Sequence, residues 1–374
     1  MKLLLQTLTA AMILATAMPC AAVDLSFSTG MQYESWTSDH DDSGNQFYLP
    51  LKVAAQASSY SLSLVGGYAA TEGDLAGEQK ASLSSVLDTQ VKFSYELDNW
   101  ISADWLMGVD VNLPTGQTRL DETKLKILAD PDLVSVTRLG RGLNLTPFIS
   151  AAREFGPWTA GLGISYAWQG KYDYSEQTRD YDPGDILKLV SMIDYAFNDR
   201  WQAGLVIEYT HYGTDTQQDQ DFIEKSDAWR VGAHADYARD DWDISLAVQG
   251  IFRGKSKFRQ NLSTFAIEPY DGQGDEWHID AQWQYQWGKL TTLRSRLSYL
   301  NVAANDYDPS SYFYAGEIQK TSLSLGADYL LTKTLTLESM LKYFFMDQDP
   351  NWLHPNENRS YRSWSVLLGL SNHF

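Results

Sequence analysis

Charged side chains that could select or bind ions fall on one of two alternating parities in many segments of this 374-residue chain. Arg294 and Arg296 share one parity, and Asp280, Arg230, Arg253 and Lys92 occupy the equivalent parity of other segments. Rows of fixed charge of this kind select ions when they face a narrow aqueous passage. Hydrolytic chemistry would instead need a nucleophile with a base, such as Ser with His, or Asp with His. The histidines are His40, His211, His234, His278, His354 and His373. His234 and His278 fall on the charged parity, and His40 and His354 lie in polar connecting stretches. No nucleophile motif accompanies them. No paired His or Cys spacing marks a zinc site, and no motif for any other cofactor is present.

The elements that must position these charges have a period of two. Val23, Leu25, Phe27, Thr29, Met31 and Tyr33 alternate with Asp24, Ser26, Ser28, Gly30, Gln32 and Glu34. Trp158, Ala160, Leu162, Ile164, Tyr166 and Trp168 alternate with Thr159, Gly161, Gly163, Ser165 and Gln169. The segments run to about 11–16 residues, longer than the usual 5–6 of soluble sheets and close to a tilted membrane-spanning strand. Short connections, such as Ser58-Ser59, Asp98-Asn99 and Thr332-Lys333, alternate with long polar ones, such as Thr37 to Asn45 and Gly213 to Ser226. Trp100, Trp158, Trp201 and Trp242 each stand directly after a short turn, as in an interfacial aromatic girdle. The pattern predicts an all-β fold: a transmembrane antiparallel up-and-down β-barrel of about 16 strands, or 12–14 if hairpins are divided differently. The least regular segments are 143–152, which holds Pro147, and 290–302.

Composition agrees with an exported membrane barrel. Residues 1–22 carry one charge, Lys2, then an apolar run to Met18, Pro19, and small residues at Cys20-Ala21-Ala22. They read as a signal peptide for the Sec pathway, leaving 23–374 as the barrel and no cysteine in the mature chain. Mean hydropathy is −0.34, which excludes a bundle of membrane helices but not a barrel, whose strands show lipid only every second residue. The net charge of −19 argues against nucleic acid as a partner. The C-terminal strand carries Trp364, Val366, Leu368, Leu370 and Phe374 on one parity. It resembles the C-terminal signal read by the barrel-assembly machinery. The implied location is the bacterial outer membrane, among lipid and lipopolysaccharide, with a homo-oligomer allowed by the pattern.

An Arg or Lys facing lipid costs about 2–4 kcal/mol at the midplane, so the charged parity must face the lumen. There the charges either form a selectivity filter or simply pair with one another. The longest connection, Pro114 to Gly142, mixes Leu120, Leu125, Ile127, Leu128, Leu133 and Val134 with charges including Asp121, Glu122, Lys124, Lys126 and Asp130. Asp121 to Leu128 can form a short helix. A long connection with apolar residues packs on something: either the inner wall, as a constriction, or the outer mouth, as a cap. General porins fold their third long loop into the channel, and this connection resembles that loop in position.

Between Leu87 and Tyr212 stand Leu113-Pro114-Thr115-Gly116, Gly142-Leu143-Asn144-Leu145-Thr146-Pro147 and Tyr181-Asp182-Pro183-Gly184-Asp185. On these pieces the chain resembles the outer-membrane barrels of phenol-degradation (MetA-type) pathways. The resemblance implies passage of small, often aromatic, compounds. Three classes of function follow: a channel for passive or facilitated diffusion of small solutes, a barrel enzyme modifying lipid or cutting protein, and a structural or export barrel with periplasmic partners. The first is favoured, because the first strand begins almost at the expected cleavage site, leaving no plug or periplasmic domain before it.

Overall fold

A computed structural model describes residues 23–74, 80–128, 132–261, 264–351, 354 and 357–374. The expected signal peptide, 1–22, and Asp130 of the long connection lie outside the described residues. The elements are β1 (Asp24–Ser38), β2 (Ser43–Ala57), β3 (Tyr60–Asp74), β4 (Ala81–Val86), β5 (Thr89–Trp100), β6 (Ala103–Leu113), α1 (Glu122–Ile127), β7 (Asn144–Phe155), β8 (Trp158–Gln169), β9 (Tyr181–Asp182), β10 (Ile186–Ala196) and β11 (Trp201–Tyr212). They continue with β12 (Thr214–Gln217), β13 (Gln220–Glu224), β14 (Ala228–Arg239), β15 (Trp242–Arg253), β16 (Lys257–Asn261), β17 (Thr264–Ile267), β18 (Glu276–Trp287), β19 (Thr291–Val302), β20 (Ile318–Leu330), β21 (Leu335–Gln348) and β22 (Arg359–His373).

Seventeen of these form one antiparallel sheet. β4 and β5 are two pieces of a single stave, both paired with β3 and interrupted at Leu87-Asp88. The barrel therefore has sixteen staves, as the alternation predicts. It closes where β1 pairs with β22, from Ser26↔His373 to Ser38↔Tyr361. Closure leaves no edge strand, so every backbone donor and acceptor at membrane depth can be paired within the protein.

One parity of each stave points outward and is apolar. Met31, Leu162, Leu205, Leu246, Leu297, Leu325, Leu341 and Leu368 are all exposed on the outer wall. In water such a surface would be an aggregation site; in lipid it is the membrane contact. Aromatic pairs mark the short-turn rim: Trp158 with Tyr195 (centroids 4.5 Å apart), Trp201 with Tyr237 (4.6 Å) and Tyr60 with Tyr95 (4.7 Å).

Three local expectations are corrected. The turn expected at Asp98-Asn99 falls two residues later, at Ile101-Ser102, because the register slips between Leu97 and Trp100. Asn99, Ile101 and Ser102 all take positive φ there. Trp100 consequently precedes its turn and packs on Trp105 at 5.3 Å. The connection expected over Thr37 to Asn45 is only four residues, 39–42, because both strands extend to meet it. Segment 143–152 is longer than expected, running to Phe155 as β7. Pro147 interrupts its ladder to β8 between Leu145 and Phe148, since proline has no N–H to donate.

The outer connections have structure of their own. β9, β12, β13, β16 and β17 come from three successive long connections and join into a second, five-stranded sheet. Its order is β17-β16-β13-β12-β9.

The two faces of β19 supply a test. Leu297, 51 % exposed, looks into lipid mid-strand, and its neighbour Ser298 looks inward. Leu297→Arg should lower the urea stability of the bilayer-refolded barrel by about 2–4 kcal/mol, whereas Ser298→Arg should change it little. Equal losses at both positions would reverse the assigned faces.

Candidate functional site

The inner parity carries oppositely charged pairs. Arg296 donates through Nε to Asp280 Oδ1 at 2.5 Å, and Arg294 through an Nη to Asp328 Oδ1 at 2.5 Å. Arg253 lies 2.6 Å from Glu276. Lys92 lies 3.6 Å from Asp110. Lys188 and Arg230 share Glu208 at 3.3 and 3.8 Å. All six wall residues singled out from the sequence thus belong to ion pairs. They are spread around the wall from β5 to β19, and only Arg296 and Asp280 are brought together with each other. His234 stands 3.3 Å from Asp194, and His278 stands 3.3 Å from Glu276.

The Pro114–Gly142 connection crosses to the far wall. It is pinned at both ends by Asp88, at the interruption between β4 and β5. The Asp88 carboxylate accepts from the backbone N–H of Gly116 (2.8 Å) and of Arg141 (2.6 Å), and from Asn112 Nδ2 (2.7 Å). Asp88 N–H donates to the Leu139 carbonyl at 3.0 Å. Gly116 is required here, because a Cβ would lie 1.9 Å from the Leu139 carbonyl oxygen.

After α1 the chain runs along inward side chains. Glu34 of β1 accepts from Ser135 N–H (2.7 Å) and Ser135 Oγ (2.8 Å). Gln46 of β2, fully buried, donates to the Val136 carbonyl at 2.7 Å and to Thr71 Oγ1 at 2.9 Å, and accepts from Val136 N–H at 2.8 Å. Lys320 of β20 donates to the Asp132 carbonyl. Leu133 and Val134 pack with Trp36, Phe344, Met346 and Tyr361, the inward residues of β1, β21 and β22. A second cluster joins Leu120, Ile127, Val136 and Leu139 to Ala69 and Leu83 of β3 and β4. The apolar residues of this connection therefore cover the inner wall near its outer end. Backbone bonds from Arg119 to Asp173 and from Glu176 to Leu120 tie its first half to the next outer connection.

α1 explains four of the charges. Asp121 caps it, accepting from Lys124 N–H at 2.9 Å, and the Lys124 ammonium sits 2.7 Å from the same carboxylate. The lysine and the cap hold Asp121 below the usual carboxylate range. Lys126 pairs with Glu122 at 3.6 Å across one turn. These four residues thus neutralise one another in pairs. Beside the helix, Tyr172, Tyr174 and Tyr181 form an aromatic cluster with centroids 5.7–6.4 Å apart. Burial pushes the Tyr172 hydroxyl up, and burial together with a bond to Asp215 pushes Tyr181 higher still.

Sequence reasoning missed two features. Gln46, Thr71 and Asp88 are uncharged or solitary on their strands, and nothing in the period marks them as anchors. The second is an apolar region of the inner wall. Leu106, Phe148, Ala152, Val190 and Met192 hold inward positions, and they line an open recess of about 450 Å³ with Gly161 and Gly163. Its signal was in the alternation: these are large apolar residues on the polar parity.

Residues 148–268, about a third of the chain, match the sequence family described as "Putative MetA-pathway of phenol degradation". No curated protein matches the sequence. Among solved structures, OpdQ of Pseudomonas aeruginosa is similar over 94% of this chain and 99% of its own, with 8% identity and a TM-score of 0.48. An anion-selective porin from Comamonas acidovorans is similar over 94% and 99%, with 13% identity and a TM-score of 0.43. The P. putida toluene transporter TodX is similar over 96% and 92%, with 10% identity and a TM-score of 0.40. The chain is an outer-membrane β-barrel: a closed sheet with an apolar belt, a short-turn rim and a long-loop rim.

The anchoring of the inner loop can be tested at Gln46. Gln46→Leu leaves the Val136 N–H and C=O buried without partners, which costs about 1–3 kcal/mol. Protease cleavage of the purified barrel within 114–142 should quicken by about tenfold or more, with the barrel itself still heat-modifiable on gels. Unchanged cleavage would mean that the loop is held elsewhere.

Proposed function

We propose that this barrel is a passive, non-enzymatic channel for small solutes, with aromatic compounds among its permeants, and that the Pro114–Gly142 loop is its constriction. The observation carrying this reading is the docking of that loop on inward residues of β1, β2, β20, β21 and β22. Sixteen staves enclose more space than wall side chains fill, so a segment laid along the inside narrows an otherwise wide passage. The aromatic class is supported by the description of the family matched over 148–268 and by the apolar stretch of inner wall.

Selectivity is assigned to the inward wall charges of β18 to β20. The Arg294–Asp328 and Arg296–Asp280 pairs are each neutral overall, so they form a transverse field rather than a ring of one sign. Lys92 with Asp110, Arg253 with Glu276, and Arg230 with the Glu208 that it shares with Lys188 extend that field around the wall.

Conductance in planar bilayers tests both parts. Deleting Thr118 to Val136 should raise single-channel conductance, because the loop no longer occupies the lumen. Unchanged conductance would move the loop to the role of an outer cap. Arg294→Ala with Arg296→Ala should shift the reversal potential toward cations, since Asp328 and Asp280 are then uncompensated. Arg296→Ala with Asp280→Ala should shift it far less. Should the two double variants behave alike, the pairs do not set selectivity.

A further inference from the structure

The apolar recess of the inner wall is unlike the rest of that wall. Elsewhere the inward parity is largely charged or hydroxylated, and its apolar residues Trp36, Phe344, Met346 and Tyr361 are covered by the inner loop. Between β6 and β11 the same parity carries Leu106, Phe148, Ala152, Val190, Met192 and Val206 at adjacent positions. The register sets Leu106 beside Ser150, Val190 beside Gly163, Met192 beside Gly161, and Val206 beside both Met192 and Gly232. Leu106 is 37 % exposed and Met192 40 % exposed, although both face away from lipid. Apolar area held against water in a conducting lumen is unfavourable, by about 25 cal/mol per Å². Among the described residues nothing covers it: the inner loop packs on β1–β4 and β20–β22.

Glycines give the recess its depth. A Cβ on Gly108 would lie 2.7 Å from the Phe148 ring, one on Gly161 2.8 Å from Met192, and one on Gly232 3.0 Å from Val206. Each large side chain therefore lies down over a bare stretch of the neighbouring strand. The result is a low apolar floor bounded by taller polar groups. Glu96 and Asp104 stand at its periplasmic end, and Lys188, paired with Glu208, at its outer end.

We infer that this recess is a binding site in the lumen for a small neutral aromatic molecule of one or two rings. Its volume of about 450 Å³ lies within the range of ligand sites, and an apolar cavity of roughly 150 Å³ already takes benzene. The charged groups at both ends limit its length, which suits a ring and not an extended acyl chain. A neutral occupant is required, because an ion set on this floor would lose hydration without gaining a partner. The Ser150 and Ser165 hydroxyls on the lining can meet a single ring hydroxyl. The inference rests on the reading of an open aqueous lumen, and it deepens that reading by giving the permeant a place to stop.

Methionine methyl resonances report on it separately from conductance. Beyond residue 22 the methionines are Met31, Met107, Met192, Met340 and Met346. Met31 and Met107 face lipid and register partition of the probe into the bilayer. With ¹³C-methyl-methionine protein in lipid nanodiscs, phenol should shift the Met192 signal, assigned by Met192→Leu, along a saturating curve. Met31 and Met107 should drift only in proportion to concentration. Benzoate should not saturate Met192. Val190→Asp should weaken phenol binding about tenfold or more, with Val190→Thr as a milder second variant and heat-modifiable migration confirming that both fold. A Met192 shift that follows Met31, or a curve unmoved by either variant, overturns the site. A conducting barrel without saturation loses this inference and keeps the channel. Saturation in a barrel that does not conduct keeps the site and loses the channel.

Discussion

A backbone inside hydrocarbon has no water to bond to, and an unpaired N–H or C=O there costs several kcal/mol. The pairing of β1 with β22 meets that constraint for the whole sheet. The remaining features follow from closure. A closed sheet has an inside and an outside, so each strand must alternate; an alternating strand has one face for lipid and one for water. The charges of the wall exist because the inside is wet, and they pair because even a wet wall is a poorer solvent for ions than bulk water. Arg294 and Arg296, adjacent on one face of β19, each find a carboxylate on a different neighbouring strand, and so tie β18, β19 and β20 together as well as charging the lumen.

The inner loop obeys the same logic in the opposite direction. Its apolar residues cannot stay in water, and lipid is on the other side of the wall. They settle on the few inward residues that are apolar near the outer rim: Trp36, Phe344, Met346 and Tyr361. Its backbone needs partners once it is covered, and Gln46 supplies both a donor and an acceptor to Val136. The interruption of the β4–β5 stave at Leu87-Asp88 is the other half of this arrangement. By leaving the ladder there, Asp88 becomes free to hold the first and last turns of the loop.

Much of this was legible in the sequence, for a physical reason. The lipid belt imposes a strict period of two on every stave, so all sixteen could be placed, along with the parity of the charges and the apolar nature of the 114–142 connection. What was not legible depended on meetings between distant residues. Gln46 and Val136 lie ninety positions apart, and no local pattern couples them. The β-sheet of outer connections was hidden because β12, β13, β16 and β17 are only four or five residues long, too short for a period to show. The turn near Trp100 was misplaced because a register slip preserves the composition of a turn while moving its position. The apolar inner wall was hidden for a different reason: Leu106, Val190 and Met192 look like noise in an alternation until the faces are known.

The mouth of the barrel is covered from two sides by unlike means. The loop lies inside, against β1–β4 and β20–β22. The five-stranded sheet rises from the connections after β8, β11 and β15, on the opposite side of the rim. The loop meets the connection that carries β9 where Leu120 bridges Ser175 and Arg119 donates to Asp173. This division leaves β6 to β19 as the inner wall that no described residue of the loop covers. The recess over Phe148 and Met192 lies on that wall, and so do Asp280, Arg294 and Arg296 of β18 and β19. On the proposed reading, a solute passing the loop would meet apolar floor on one side and fixed dipoles on the other. Neither surface alone would sort solutes well, because apolar contact is tolerant of shape and paired charges are weak. Facing a single passage narrowed as proposed, the two together would favour a molecule with an apolar body and a single polar group.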